Sequence, residues 1–482
     1  MKNKFFLLLL VFLVLSVNPI SSTSDDTAKT DYSEAFRMIE VWLDAQQAYD
    51  RLPGITAAIV EDQDIIWSNG YGKADMERDI DAETGTIFSI CSISKLFTSV
   101  AVMQLRDAGK LRLEDRIEDL LPWYDLQQQW KDKGPITVRT LLTHSSGLPR
   151  ESAHPYWTGP DFPFPTQKEI REKLGGQKTL YPPSTYFQYS NLGLTLLGEI
   201  VAEVSGLPFS RYIEENILTP LRLSDTRTEL PESLWRGKLA TGYSALKREG
   251  GRDMLQLFNA RGIAPAAGFS STVLDLARFA SWQFRLLEEG GEEILKDSTL
   301  REMHRVHWVD PDWETAWGLG FSVSKVDGRT MVGHGGSCPG YRSTLRIDPI
   351  KKQAFVVMIN AGGANPTLYA NGIRAIIKRA SSTKKEDVLP EGVELEDYSG
   401  LFSAQPWGGE TAVFPWKGKL AVFGLPSNNP GERLTLLKCI KKDTFRRIRS
   451  DKELGEEVLF ERDSDGNVIR MWQHGNFERK IK

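Results

Sequence analysis

The sequence predicts an α/β protein: a sandwich with a helical insertion, followed by a small all-β C-terminal domain. Three observations predict it. Strand-like runs at 55–60 and 65–67 precede an amphipathic helix opening at Ser92, and strand-like runs return at 330–333, 341–347 and 354–360. The stretch 111–260 between these two sets is helical and loop-rich. Beyond a charged linker at 381–387, short strand-like runs recur with turns between them at 411–416, 420–423, 434–437, 444–448, 458–461 and 468–472.

In chain order, Lys2 and Lys4 precede an apolar run at 5–17 and a polar stretch at 18–24, the pattern of an export signal. Residues 1–24 are read as that signal, with an undefined cleavage site because no A-x-A is present; an uncleaved anchor is the alternative. The expected location is periplasmic or extracellular. A helix is expected at 32–48, carrying Phe36, Ile39, Val41, Trp42 and Leu43 among its apolar positions. The strand pair 55–60 and 65–67 turns through Glu61-Asp62-Gln63-Asp64. In the next helix Ile93, Leu96, Phe97, Val100, Ala101, Leu105 and Ala108 keep the three-and-four spacing of a buried stripe, and Gly109 is its stop.

Further helices are expected at 136–142, 191–204, 273–287 and 366–380, and the Pro- and aromatic-rich stretch 149–165 reads as a lid or cleft wall. The resulting domains are 32–380 for the main body, 381–394 for a linker and 395–482 for the all-β tail, where Asp465-Gly466 is a hairpin signal.

With 482 residues and a formal net charge of -4, the chain has a large core and no basic field for nucleic acid. Its three cysteines, Cys91, Cys338 and Cys439, lack metal-ligand spacing. Cys91 and Cys338 flank motifs of one site, so a bridge is one reading; buried free thiols are the preferred one.

Three motifs carry chemistry. Ser92-Ile93-Ser94-Lys95 puts a hydroxyl and an amine on one helical face, where a neutral amine can take the serine proton. A lysine normally titrates at about 10.4, so the amine needs burial or a neighbouring positive charge. Taken alone, S-x-x-K also fits a capping serine beside a surface lysine. Tyr189-Ser190-Asn191 opens the helix at 191–204; a phenol beside an ammonium is expected to have its pKa lowered enough to exchange protons, and Asn191 offers amide donors and an acceptor. His334-Gly335-Gly336-Ser337 ends a strand-like run, and its small residues allow a substrate backbone to approach.

In order and spacing, these motifs resemble S-x-x-K, Y-x-N and [KHW]-[TSG]-G of the serine β-lactamase and penicillin-binding protein superfamily. The likeness is to its class C-related branch, which includes D-aminopeptidases, D-alanyl-D-alanine carboxypeptidases and family VIII esterases. Leu141-Leu142-Thr143-His144-Ser145-Ser146-Gly147-Leu148-Pro149, Thr241-Gly242-Tyr243 and Ala267-Gly268-Phe269-Ser270-Ser271 share it. It spans about residues 32–380 and implies a β-lactamase/transpeptidase-like fold. The tail from Leu395 resembles, over a shorter stretch, the lipocalin-like domain appended to many such hydrolases.

The resemblance implies catalytic roles for Ser92 as acylated nucleophile, Lys95 as base or relay, and Tyr189 as acid/base. Asn191, His334, Gly335, Gly336 and Ser337 would bind substrate, with the Ser92 and Ser337 N–H groups on the oxyanion. His334 stands where many relatives carry a lysine. A mostly neutral imidazole binds a substrate carboxylate less strongly, which shifts the expectation toward an esterase or D-amino-acid-directed peptidase. A β-lactamase or D-Ala-D-Ala carboxypeptidase is the alternative, and a non-catalytic cell-wall binding protein a second one.

No cofactor or metal is expected, and the partner is a small ester, amide or peptide. His144 is read as a helix-end structural residue, since no G-x-S-x-G accompanies it. His304 and His307 form an H-x-x-H without the glutamate a zinc site needs. Tyr156, Trp157, Phe162, Phe164, Tyr181, Tyr186 and Phe187 either line the cleft or pack the helical region.

Overall fold

A computed structural model describes residues 30–382 and 387–482. The expected signal at 1–24 and part of the linker lie outside the described residues.

One nine-stranded antiparallel sheet organises the main body, in the order Ile80–Asp81, Asp64–Asp75, Gly54–Glu61, Gln353–Ile359, Tyr341–Asp348, Arg329–Cys338, Ser322–Val326, Ala316–Trp317 and Trp308–Val309. Its central strands are apolar on both faces. Ala58, Val60, Ala354, Val356 and Met358 join one core, while Ile55, Ala57, Ile59, Phe355, Val357 and Ile359 join another, following the two-residue period of a strand. The first core also takes apolar residues of helices Ser94–Asp107, Asn191–Ser205 and Val273–Glu289. The second is covered by helices Ser33–Tyr49 and Pro366–Ser382. On Ser33–Tyr49 the buried residues Ala35, Met38, Ile39, Trp42 and Ala45 recur every three or four positions; of the apolar positions expected from the sequence, Ile39, Trp42 and Leu43 are buried, and Phe36 and Val41 are half-buried.

The C-terminal domain is a closed antiparallel barrel of eight strands, from Gly400–Ser403 to Asn476–Lys480, closed by pairing of Phe402 with Lys480. Its interior holds Tyr398, Phe402, Leu420, Phe445, Phe460 and Met471. Phe414, Trp416 and Phe423 instead face helix Ser33–Tyr49 and belong to the second core. Trp42 Nε1 donates to Ser427 O at 2.7 Å, and Ser427 N donates to Gln46 Oε1 at 3.0 Å. The barrel is thereby welded to the sheet face covered by Ser33–Tyr49 and Pro366–Ser382.

Six barrel strands match the sequence reading, with Gly466 at φ +88° in the expected hairpin. The first and last strands went unread. Gly400–Ser403 has four residues and opens on glycine, and Asn476–Lys480 carries one apolar residue, Phe477, so neither shows a period. A second difference bears on the site: strand Arg329–Cys338 continues through His334-Gly335-Gly336-Ser337 instead of ending at Gly333. Gly336 pairs with Ser343 and His334 with Leu345, so the neighbouring strand holds a segment whose composition reads as a turn.

Candidate active site

Ser92 sits in a 3-10 turn, Cys91–Ile93, that runs directly into helix Ser94–Asp107. The preceding Cys91 has φ +51°, a conformation unusual for a side-chain-bearing residue. It is held by a disulfide to Cys338 with Cα atoms 5.6 Å apart, which corrects the preference for free thiols. Sequence spacing could not show it, since 247 positions separate the two cysteines and only the sheet brings the strand end onto the turn. Ser94, not Ser92, makes the local backbone bonds of this helix start: its hydroxyl donates to Cys91 O and accepts from Phe269 N at 3.0 Å. The Ser92 hydroxyl, half-buried, points instead to Lys95, whose Nζ lies 3.2 Å from Ser92 Oγ.

Lys95 is completely buried. Its Nζ is 2.7 Å from Asn191 Oδ1 and 2.7 Å from Ala266 O, and 4.8 Å from the centre of the Tyr189 ring. Burial pushes its pKa well below the ordinary lysine value; Glu151 opposes that shift and Arg150 adds to it. Asn191 is the first residue of helix Asn191–Ser205, capped by Ser190 Oγ, which accepts from Gly193 N at 2.9 Å.

Tyr189 differs from expectation. Burial raises its phenol well above the ordinary tyrosine value, and a hydrogen bond with Ser92 only partly offsets this. Desolvation disfavours both a phenolate and an ammonium here, so burial pushes Tyr189 and Lys95 alike toward their neutral forms. His144 steadies the tyrosine: its ring centroid is 4.3 Å from that of Tyr189, its Nδ1 accepts from Ser190 N at 3.1 Å, and its carbonyl accepts from Gln188 N at 2.7 Å. It buttresses the motif, as the helix-end reading holds.

His334 is 6% exposed, and its pKa falls to about 3, chiefly through burial and then through Lys95. Nδ1 faces Gly335 O, so the neutral ring carries its proton there, and Nε2 is a buried acceptor with no partner among the described residues. Gly336 has no room for a side chain: a Cβ would press on Ile90 O and Ser343 Oγ and lie 3.2 Å from Cys91 Cβ.

These residues open on a cleft of about 810 Å³ bordered by Ser92, Tyr189, Asn191 and 334–337. All eight residues named from sequence therefore meet at one place. Of the seven aromatic candidates, Trp157 and Phe162 line the cleft, so the irregular stretch 149–165 supplies a wall. Tyr156 and Phe164 are buried behind it, Phe187 packs on His144 and Trp317, and Tyr181 and Tyr186 pack on each other at the surface. A cavity of about 840 Å³ near Arg116, Tyr124 and Gln128 contains none of the motif residues.

Sequence reasoning passed over Arg150 and Glu151, which also border the cleft. Asn191 Nδ2 donates to both Glu151 oxygens, at 2.8 and 3.0 Å, and Arg150 Nε lies 3.2 Å from Glu151 Oε1. The signal was there: a charge pair follows the apolar turn Gly147-Leu148-Pro149 without any helical period to place it on a solvated face. His304 contacts Gln283 and His307 contacts Arg139, and among the described residues no cluster of three His, Cys, Asp or Glu side chains is placed to hold a metal.

The Beta-lactamase family model matches residues 40–377. Beta-lactamase-like protein 4 of Dictyostelium discoideum is 27% identical over 343 residues, 67% of this chain and 59% of the relative's length. Penicillin-binding protein 4 of Amycolatopsis lactamdurans is 25% identical over 389 residues, 75% of this chain and 96% of the relative. The octameric penicillin-binding protein homologue from Pyrococcus abyssi, 23% identical, superposes with a TM-score of 0.62 over 92% of this chain and 99% of its own, a likeness of fold that takes in the barrel.

Proposed function

Since the chain belongs to the beta-lactamase family, within the superfamily of serine β-lactamases and penicillin-binding proteins, we propose that it cleaves an ester or amide bond through an acyl-enzyme on Ser92. One observation carries this reading: the arrangement around Lys95 Nζ. A neutral amine has two N–H groups and one lone pair. Asn191 Oδ1 and Ala266 O, each at 2.7 Å, take the two N–H groups, which leaves the lone pair for the Ser92 hydroxyl at 3.2 Å.

Ser92 Oγ attacks the substrate carbonyl carbon as its proton passes to Lys95. The N–H groups of Ser92 and Ser337 hold the oxyanion. Collapse expels the alcohol or amine, which takes the Tyr189 phenol proton, and the Lys95 ammonium restores that proton to Tyr189. The serine proton has then moved to the leaving group. In deacylation a water proton travels back through Tyr189 and Lys95 to Ser92 Oγ, releasing the acid. Tyr189 works throughout as a relay that never rests as phenolate, in keeping with its raised pKa.

His334 supports the ester or D-amino-acid amide reading: a ring held neutral by burial offers no cation to a substrate carboxylate. A carboxypeptidase or β-lactamase stands second, favoured by the match to nearly all of Penicillin-binding protein 4. Export follows the expectation for residues 1–24; among the described residues no single helix is long and apolar enough to cross a membrane.

A fluorophosphonate probe is expected to add to Ser92, seen by mass spectrometry, and Ser92→Ala abolishes the adduct. p-Nitrophenyl esters and D-aminoacyl anilides should be turned over faster than nitrocefin. Activity that survives Ser92→Ala overturns the mechanism, and absence of any acylation favours a binding protein.

A further inference from the structure

The proposed mechanism leaves unexplained why the Asn191 amide faces Lys95 with its oxygen. The two ends of an amide are isosteric, and only their neighbours decide which way it lies. Here Nδ2 meets both oxygens of Glu151, a group that only accepts when ionised, at 2.8 and 3.0 Å. A flipped amide would set oxygen against carboxylate and NH2 against the Lys95 amine. Glu151 in turn accepts from the Tyr156 hydroxyl and pairs with Arg150, whose guanidinium lies 4.8 Å from the centre of the Tyr189 ring. We infer that Glu151 and Arg150 are positioning residues for the base: Glu151 locks the Asn191 amide with its oxygen on Lys95, and Arg150 anchors Glu151 while covering Tyr189.

This inference rests on Lys95 acting as the base, and it has an electrostatic corollary. The groups facing Lys95 are Ser92 and the Ala266 carbonyl, Asn191, Tyr189, His334 and His144, with Glu151 and Arg150 behind Asn191 and Tyr189. Tyr189 is held neutral by its raised pKa; His334 and His144 are held neutral by lowered ones. The charges left to act on the Lys95 proton are Glu151, which favours the ammonium, and Arg150, which disfavours it. The pair therefore sets the acid limb of the activity profile from opposite sides.

The test is the pH dependence of kcat/KM for a p-nitrophenyl ester, with fluorophosphonate labelling of Ser92 as a second readout. Glu151→Gln keeps an acceptor for Asn191 Nδ2 but removes the charge, so the acid limb moves to lower pH. Arg150→Gln moves it to higher pH. Glu151→Ala frees the amide and lowers kcat by about tenfold to a hundredfold across the range, the size expected of a misplaced catalytic group, and Glu151→Gln recovers most of that loss. Limbs that stay put or move the same way, or an alanine variant within twofold of wild type, overturn the inference. If wild-type Ser92 is labelled while these shifts fail, the positioning role alone falls. If wild-type Ser92 is never labelled, the hydrolase reading falls with it.

Discussion

Gly336→Ala and Gly335→Ala each add one carbon, at adjacent residues, and the structure assigns them opposite outcomes. The added Cβ at Gly336 would meet the Ile90 carbonyl oxygen, Ser343 Oγ and, at 3.2 Å, Cys91 Cβ. Two of the three cannot swing away. Ile90 O is backbone and already accepts from Ser343 Oγ at 2.9 Å, and Cys91 is tied to Cys338. The motif strand must therefore back off the turn that carries Ser92. Overpacking of this kind costs roughly 1–3 kcal/mol of stability. A displacement on the order of 1 Å between Ser92 and Ser337, the two proposed oxyanion donors, costs on the order of a hundredfold in rate. At Gly335 the nearest atom to an added Cβ is Ser343 O at 3.8 Å, an ordinary contact. The assay is the rate of fluorophosphonate labelling together with the urea midpoint. Gly336→Ala is expected to lose both, and Gly335→Ala to keep the wild-type urea midpoint. A Gly336→Ala protein with wild-type midpoint and labelling rate would refute the close approach of strand and turn.

Two further expectations concern stability. His334 titrates at about 3 in the fold against an ordinary 6.5, and His304 likewise at about 3. Between those values the unfolded chain binds protons that the folded chain does not, so stability falls as pH drops from about 6.5 toward about 3. Urea midpoints across that window should fall less steeply for His334→Asn, and less steeply again with His304→Asn added; parallel curves for all three proteins would contradict the burial of neutral rings. Replacing both Cys91 and Cys338 by serine opens a crosslink across 247 positions and should cost about 2–5 kcal/mol, with slower Ser92 labelling. Equal thermal midpoints for the double variant and wild type would show that the bridge does not brace the turn.

Periodicity and apolar run length made most elements legible. The buried stripe on Ser33–Tyr49 repeats at helical spacing, whereas helix Ser94–Asp107 is buried on nearly every side and the central strands on both faces, so there the length and apolar character of the run were the signal. The eight site residues were legible for a different reason: Ser92/Lys95, Tyr189/Asn191 and His334 to Ser337 resemble, in order and spacing, the S-x-x-K, Y-x-N and [KHW]-[TSG]-G motifs of a known superfamily, while each motif taken alone also fits an ordinary structural role. The motif strand was misread at its end because Gly335 and Gly336 lack strand propensity, and only pairing with Tyr341–Asp348 makes them extended.

The sequence by itself determined which groups can take part in the chemistry, since hydroxyl, amine and phenol are properties of residue types. Tertiary structure alone decided their partners and the direction in which burial shifts their pKa values. Lys95 is a candidate base because Asn191, Ala266 and Tyr189 enclose it, and no local sequence records that enclosure. The same enclosure raises the Tyr189 phenol, where local reasoning had lowered it, because desolvation sums over every element packed around a group. The Cys91–Cys338 bridge, the Glu151 lock on Asn191 and the docking of the barrel on Trp42 join residues distant in the chain, and only the folded sheet and helices bring them within reach.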